Sequence, residues 1–135
     1  MINKNDISAH MSTEAAEIYL RKDGIMHVHI MVKNSFELQH SMQIVEARTK
    51  LAENKPYPIL YTTEHTFVTP SPEVKQYVAS EERSALVLAD AFVIKSLPQR
   101  LAAKMFSNFN KPVRPSKFFS NEADAILWLK EFVSK

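Results

Sequence analysis

The chain has 135 residues, 45% hydrophobic and 24% charged, with a formal net charge of +2. That is the balance of one globular domain rather than a disordered segment or a basic nucleic-acid binder. Its lack of cysteine and its single glycine, Gly24, exclude disulfides, thiol nucleophiles, cysteine-ligated metals and the multi-glycine phosphate loops of P-loop and dinucleotide folds.

Residues 1–14 read as a polar N-terminal extension, with no apolar core of the signal-peptide kind, ahead of a single domain over residues 15–135. Glu17 to Lys22 alternate apolar and polar, the period of a half-buried strand, and Asp23-Gly24 supplies a hairpin turn because both residues tolerate positive φ. Ile25 to Val32 returns as the second strand, with Met26, Val28, Ile30 and Val32 on one face and Ile25, His27, His29 and Met31 on the other. Asn34 and Glu37 have capping-box spacing, and Leu38, Met42, Val45 and Ala52 follow at helical spacing, so a helix is expected to about Glu53, before Pro56.

Ile59-Leu60-Tyr61 makes a short apolar strand, and Ser71-Pro72-Glu73 is a helix start with Ser71 as N-cap. A helix is predicted over residues 72–90, then a buried parallel strand over Ala91 to Ile94. Ser96 and Gln99 cap a further helix that places Leu97, Leu101, Met105 and Phe109 on one side. Lys117 to Phe119 is a last strand, and Asn121 with Asp124 opens a helix to about Val133. No stretch approaches the ~20 apolar residues of a membrane-spanning helix, so a cytoplasmic protein without membrane insertion is expected.

The order implies an α/β fold: an antiparallel hairpin, then strands alternating with helices through right-handed crossovers into a mostly parallel sheet. The hairpin at Asp23-Gly24, the long first helix and the Pro58-Ile59-Leu60 strand resemble a known family. So do the Ala89 to Val93 step into a strand, Lys111-Pro112 with Pro115, and Ala125 with Trp128-Leu129. Together they resemble the SpoIIAA-like proteins of the STAS superfamily, which contains sulfate-transporter and anti-sigma-factor-antagonist domains. The resemblance covers roughly residues 15–133 and implies a four- to five-stranded sheet with helices mainly on one face. It implies a non-enzymatic domain that binds a partner kinase and is phosphorylated at a Ser or Thr where the helix after the central strand begins. In this chain Ser71 stands there, with Thr69 and Thr66 beside it. The antagonists carry an Asp-Ser pair at that point, whereas Pro70 precedes Ser71 here.

Each candidate residue also has an ordinary structural role. A helix N-cap accounts for Ser71 without phosphorylation. His27 and His29 share a face, but a metal needs a third converging ligand, so they read as surface or homodimer-interface residues together with Ile25 and Met31. No metal and no cofactor are expected. Lys33, His65, Lys95 and Ser96 gather at the carboxyl edge of the parallel strands, where open α/β sheets bind ligands and where helix caps also lie. A Ser71-His65-Asp90 triad lacks a nucleophile elbow, so no enzyme is expected. The leading expectation is a regulatory, protein-interacting domain with an unknown protein partner and no nucleic-acid ligand. The alternative is a module that binds an anionic metabolite, nucleotide or lipid headgroup at the carboxyl edge.

Overall fold

The computed structural model describes residues 4–32, 35–63, 69–70, 73, 77, 85–96 and 114–133. Their elements are β1 (Ile7–Ser12), β2 (Ala16–Arg21), β3 (Met26–Ile30), β4 (Ser35–Phe36), α1 (Leu38–Ala52) and β5 (Tyr57–Thr63). β6 (Thr69–Pro70), β7 (Val87–Val93), β8 (Ser116–Phe119) and α2 (Glu122–Leu129) follow, with a 3₁₀ turn at Lys130–Phe132. One sheet has the order β1-β2-β3-β5-β7-β8, and β4 pairs with β6 in a separate two-stranded piece. β2 runs antiparallel to both of its neighbours, β1 and β3, whereas β3, β5, β7 and β8 run parallel. The fold is the expected α/β arrangement of an antiparallel hairpin joined to parallel strands, with one strand more than the four or five anticipated.

The additional strand lies inside the stretch read as a polar extension. β1 pairs along β2 from Ile7↔Arg21 to Ser12↔Glu17, and Met11 packs against the core. Its apolar residues, Ile7, Ala9 and Met11, are spaced by single polar ones, a pattern too weakly hydrophobic to stand out in sequence. Thr13 links β1 to β2: its backbone N–H donates to Ala16 O at 2.8 Å, and its hydroxyl oxygen accepts the N–H groups of Ala15 and Ala16.

The β2–β3 hairpin turns where Asp23-Gly24 predicts. Gly24 has φ +87° and donates its N–H to Arg21 O at 3.1 Å. The Arg21 guanidinium donates to both oxygens of Asp23, at 3.1 and 2.8 Å, and ties the turn from outside. A Cβ at Gly24 would sit 2.7 Å from Val133 Cγ1, because the chain's last described residue packs on this turn.

Two boundaries differ from expectation. α1 is capped by Glu37, whose backbone N–H donates to His40 Nδ1 at 2.9 Å, and not by Asn34. Ser35 and Phe36 are instead extended and pair with Thr69 and Pro70, and a paired strand cannot share those residues with a helix. α1 then ends through Glu53 and Asn54, both left-handed, at φ 48° and 65°. Residues 87–90, expected to be helical, open strand β7. Cross-strand pairing with Tyr57 to Tyr61 of β5 overrides their local helical pattern.

The two described helices lie on opposite faces of the sheet. α1 buries Ile44, Ala47 and Ala52 against Ile18, Met26, Val28, Ile59 and Val87. α2 buries Ala125 and Leu129 against Ile25, Leu60, Ala89, Ala91 and Val93. A register shift in β7 opposite Tyr57 and Pro58 sends Val87 to the α1 face and Ala89, Ala91 and Val93 to the α2 face. On the α1 face Tyr61, Phe92 and Phe118 stack across three strands at 4.8 and 5.4 Å. Arg48 is fully buried there and donates to the Tyr61 hydroxyl at 3.1 Å. Trp128 packs between Phe119 and Phe132 as a core residue.

A polar cluster on the antiparallel half of the sheet

α2 packs on β5, β7 and β8. On the same face, over β1, β2 and β3, alternation brings polar side chains into register: Ser12 opposite Glu17, His10 opposite Tyr19, Tyr19 opposite His27, and Glu17 opposite His29. β5 completes the set by placing Thr62 beside His29. One face of four consecutive strands therefore carries three of the chain's five histidines, a glutamate, a tyrosine and two hydroxyls.

These groups bond to one another. The Thr62 hydroxyl lies 2.7 Å from both His27 Nε2 and His29 Nδ1. A hydroxyl has one proton to give, so only one ring nitrogen can accept from it. The other must carry its own proton and donate. The tautomers of the two rings are thus coupled through Thr62. Farther out, Glu17 Oε2 accepts from the Ser12 hydroxyl at 2.7 Å and bonds His10 Nε2. His10 stacks on Tyr19 with centroids 4.7 Å apart, and His27 and His29 meet edge to face at 6.2 Å.

Electrostatics follow depth. His27 is 3% exposed, and burial, with smaller contributions from His29 and Arg21, lowers its pKa to about 4. It is a neutral ring at neutral pH. Burial pushes the Glu17 carboxyl up, but the hydrogen bonds from Ser12 and His10 and the charges of His10 and His29 outweigh it and hold the group below its ordinary value. Burial, then Glu17, raises the Tyr19 phenol.

The predicted site residues scatter. His27 and His29 do share a face and a partner, but that partner is a threonine hydroxyl. Among the described residues no three metal-ligating side chains converge. Ile25, expected on an open face, is buried beneath α2, because a helix covers that part of the sheet. With His27 also buried, only His29, half-buried, and Met31, 39% exposed, reach the surface from that group of four. Lys95 is exposed and Ser96 half-buried beyond β7. The N–H of Ile94 donates to Phe119 O at 2.9 Å, which sets this segment beside the start of α2. There the Asn121 side chain caps the helix as expected, accepting the Asp124 N–H at 2.9 Å. Thr69 is paired through its backbone with Ser35. Lys33, His65, Thr66 and Ser71 lie outside the described residues, as does the helix expected after Ser96.

Sequence reading missed Thr62, Glu17, Tyr19, Ser12 and His10. Glu17 and Tyr19 were legible as one face of β2, two residues apart. Thr62 required the parallel β3–β5 register, and His10 and Ser12 required β1, none of which is encoded locally.

A family model for a domain of unknown function, DUF7793, matches residues 18–133. No curated protein matches the chain in sequence. In structure the chain is similar to an uncharacterised protein of the DUF3478 family from Shewanella loihica PV-4, whose crystal structure has a SpoIIAA-like fold. The TM-score is 0.54 at 16% identity, over 88% of this chain and 98% of that one. Among the described residues no helix is long and apolar enough to cross a membrane.

Proposed function

The chain belongs to the DUF7793 family, and from its SpoIIAA-like fold we propose that it is a non-enzymatic regulatory domain that acts by docking a protein partner. The observation that carries this reading is the pre-bonded polar cluster. His10, Ser12, Glu17 and His29 reach the surface while held by hydrogen bonds to one another and to Thr62. Side chains already fixed lose little rotamer freedom when a partner covers them, which favours recognition over a mobile polar surface. Met31 adds an apolar element at the end of β3. In the antagonist-type reading, phosphorylation at Ser71 or Thr69 regulates the complex by adding about −1.5 to −2 charge.

The test is chemical cross-linking of the tagged protein in its native host, followed by mass spectrometry of what is captured. His29→Glu and Glu17→Lys each reverse a charge or polarity within the cluster and are expected to lose the partner at least tenfold while circular dichroism is unchanged. Capture that is indifferent to both substitutions overturns the docking site. Thr69→Glu and Ser71→Glu are expected to weaken the same complex.

A second reading rests on the exposed Lys95 beside the α2 start: an anionic small molecule bound at the carboxyl edge. A rise in melting temperature with phosphate or a nucleotide, absent in Lys95→Ala, supports it.

A further inference from the structure

The Thr62 hydroxyl stands between two imidazoles, 2.7 Å from His27 Nε2 and 2.7 Å from His29 Nδ1. Since it has one proton to give, the three groups have two self-consistent arrangements. In the first, Thr62 donates to His29 Nδ1 and His27 donates to Thr62 from Nε2. Both rings, when neutral, then carry their hydrogen on Nε2. In the second, Thr62 donates to His27 Nε2 and His29 donates from Nδ1, so both neutral rings carry it on Nδ1.

Two features favour the first arrangement while the rings are neutral. A free imidazole side chain already prefers its hydrogen on Nε2. Glu17 acts in the same direction. β2 and β5 flank β3 on opposite sides, and the two nitrogens of an imidazole point nearly opposite ways. With Nδ1 turned to Thr62 on β5, Nε2 points toward the β2 side, where Glu17 pairs with His29 and is electrostatically coupled to it. A carboxylate favours a hydrogen on the nitrogen that faces it.

Protonation of His29 removes the choice. The cation has a hydrogen on each nitrogen, so Nδ1 can only donate to Thr62. Thr62 must then donate to His27 Nε2, and His27 must hold its own hydrogen on Nδ1. One proton is taken up in all. His29 gains it, while His27 gives up the hydrogen on Nε2 and receives one on Nδ1, its charge unchanged.

We propose that these groups form a proton-driven switch, in which protonation of half-buried His29 reverses the Thr62 hydroxyl and moves the hydrogen of buried His27 from Nε2 to Nδ1. His27 is fitted to receive this signal rather than the proton itself, since burial lowers its pKa to about 4. It stays neutral over the range in which imidazoles ordinarily titrate. On this face the charged and titratable groups around the pair are Glu17 and Tyr19 of β2, Arg21 at the end of that strand, and His10 of β1, which bonds Glu17. β5 contributes the uncharged Thr62. At the docking surface the switch makes the complex respond to pH, because protonation places a positive charge on the surface at His29 and resets the hydrogen bonds beneath it. That use rests on the docking reading; the switch itself is complete within the chain.

Nuclear magnetic resonance of the whole chain, with isotope-labelled histidine nitrogens, shows directly which ring nitrogen bears a hydrogen. Between pH 8 and pH 5, the span of an ordinary imidazole titration, His27 is expected to move its hydrogen from Nε2 to Nδ1 along the titration curve of His29. In His29→Gln the His27 ring is expected to keep one form throughout, and in Thr62→Val it no longer follows His29, with circular dichroism showing that each variant folds. A His27 ring whose hydrogen stays on one nitrogen in the wild type overturns the proposal. So does a His29 that takes up no proton in this span, or a His27 change that persists in His29→Gln. None of these measurements involves a partner, so their failure leaves the docking site standing. Partner capture indifferent to His29→Glu removes the docking role and leaves the switch.

Discussion

His27 has a neutral imidazole in the folded chain, with a pKa lowered from 6.5 to about 4. In the unfolded chain the ring takes up a proton near 6.5; in the folded chain it resists doing so until about 4. Folding stability is therefore unaffected by this group above about pH 6.5 and falls as the pH drops from there to 4, by about 3 kcal/mol in all. Glu17 acts in the same sense but over a lower window, since a carboxyl held below its ordinary value of 4.5 loses its contribution as the pH falls through that region. Urea titrations at pH 7 and pH 4.5 separate the two groups. The wild type is expected to lose most of the histidine contribution between these values, and His27→Gln, which keeps a hydrogen-bonding amide near Thr62, to lose markedly less. Equal losses in both proteins would falsify the burial argument. Gly24 is a second residue whose environment sets its chemistry. Gly24→Ala meets both a positive φ and Val133 Cγ1 at 2.7 Å, and is expected to cost at least about 1–2 kcal/mol. In a Val133→Ala background the steric part is relieved and the cost is expected to shrink, which a pair of denaturation curves measures.

Among the elements, β1 separates a decorative terminus from a structural one. Its removal strips the pairing partner from β2 and takes Met11 out of the core. A chain beginning at residue 14 is expected to melt more than about 5 °C below the full chain, the shift that roughly 1–2 kcal/mol gives at this size. An unchanged melting temperature would show residues 1–13 to be a dispensable extension. The strongly patterned elements were legible beforehand: the β2–β3 hairpin, because Asp23-Gly24 sits between two alternating runs, and α2, because Asn121 and Asp124 mark its first turn. The failures share a cause. Residues 87–90 read as the end of a helix, but pairing with β5 makes them strand, and the start of α1 shifts from Asn34 to Glu37 because Ser35 and Phe36 pair with a segment more than thirty residues away. In each case a long-range hydrogen-bond ladder overrides a local preference.

At the scale of the whole molecule, the two described helices lie on opposite faces of one sheet, and the polar cluster lies on the α2 face over the antiparallel half. Composition alone determined much about this protein. One glycine and no cysteine remove phosphate-loop and thiol chemistry, and the succession of strands and helices implies the α/β class through connection rules that hold for any chain. The period-two pattern of β3 put His27 and His29 on a common face, because alternation is a property of a single strand. What binds them was decided only by the tertiary structure. Thr62 is 33 residues from His29, and His10 reaches Glu17 only because β1 joins the sheet. Burial of Ile25 and His27 was likewise fixed by the assembled sheet and its coverings. A sequence carries the period of each strand; which strands become neighbours, and hence which polar groups meet and which are withdrawn from water, depends on the free energy of the assembled sheet.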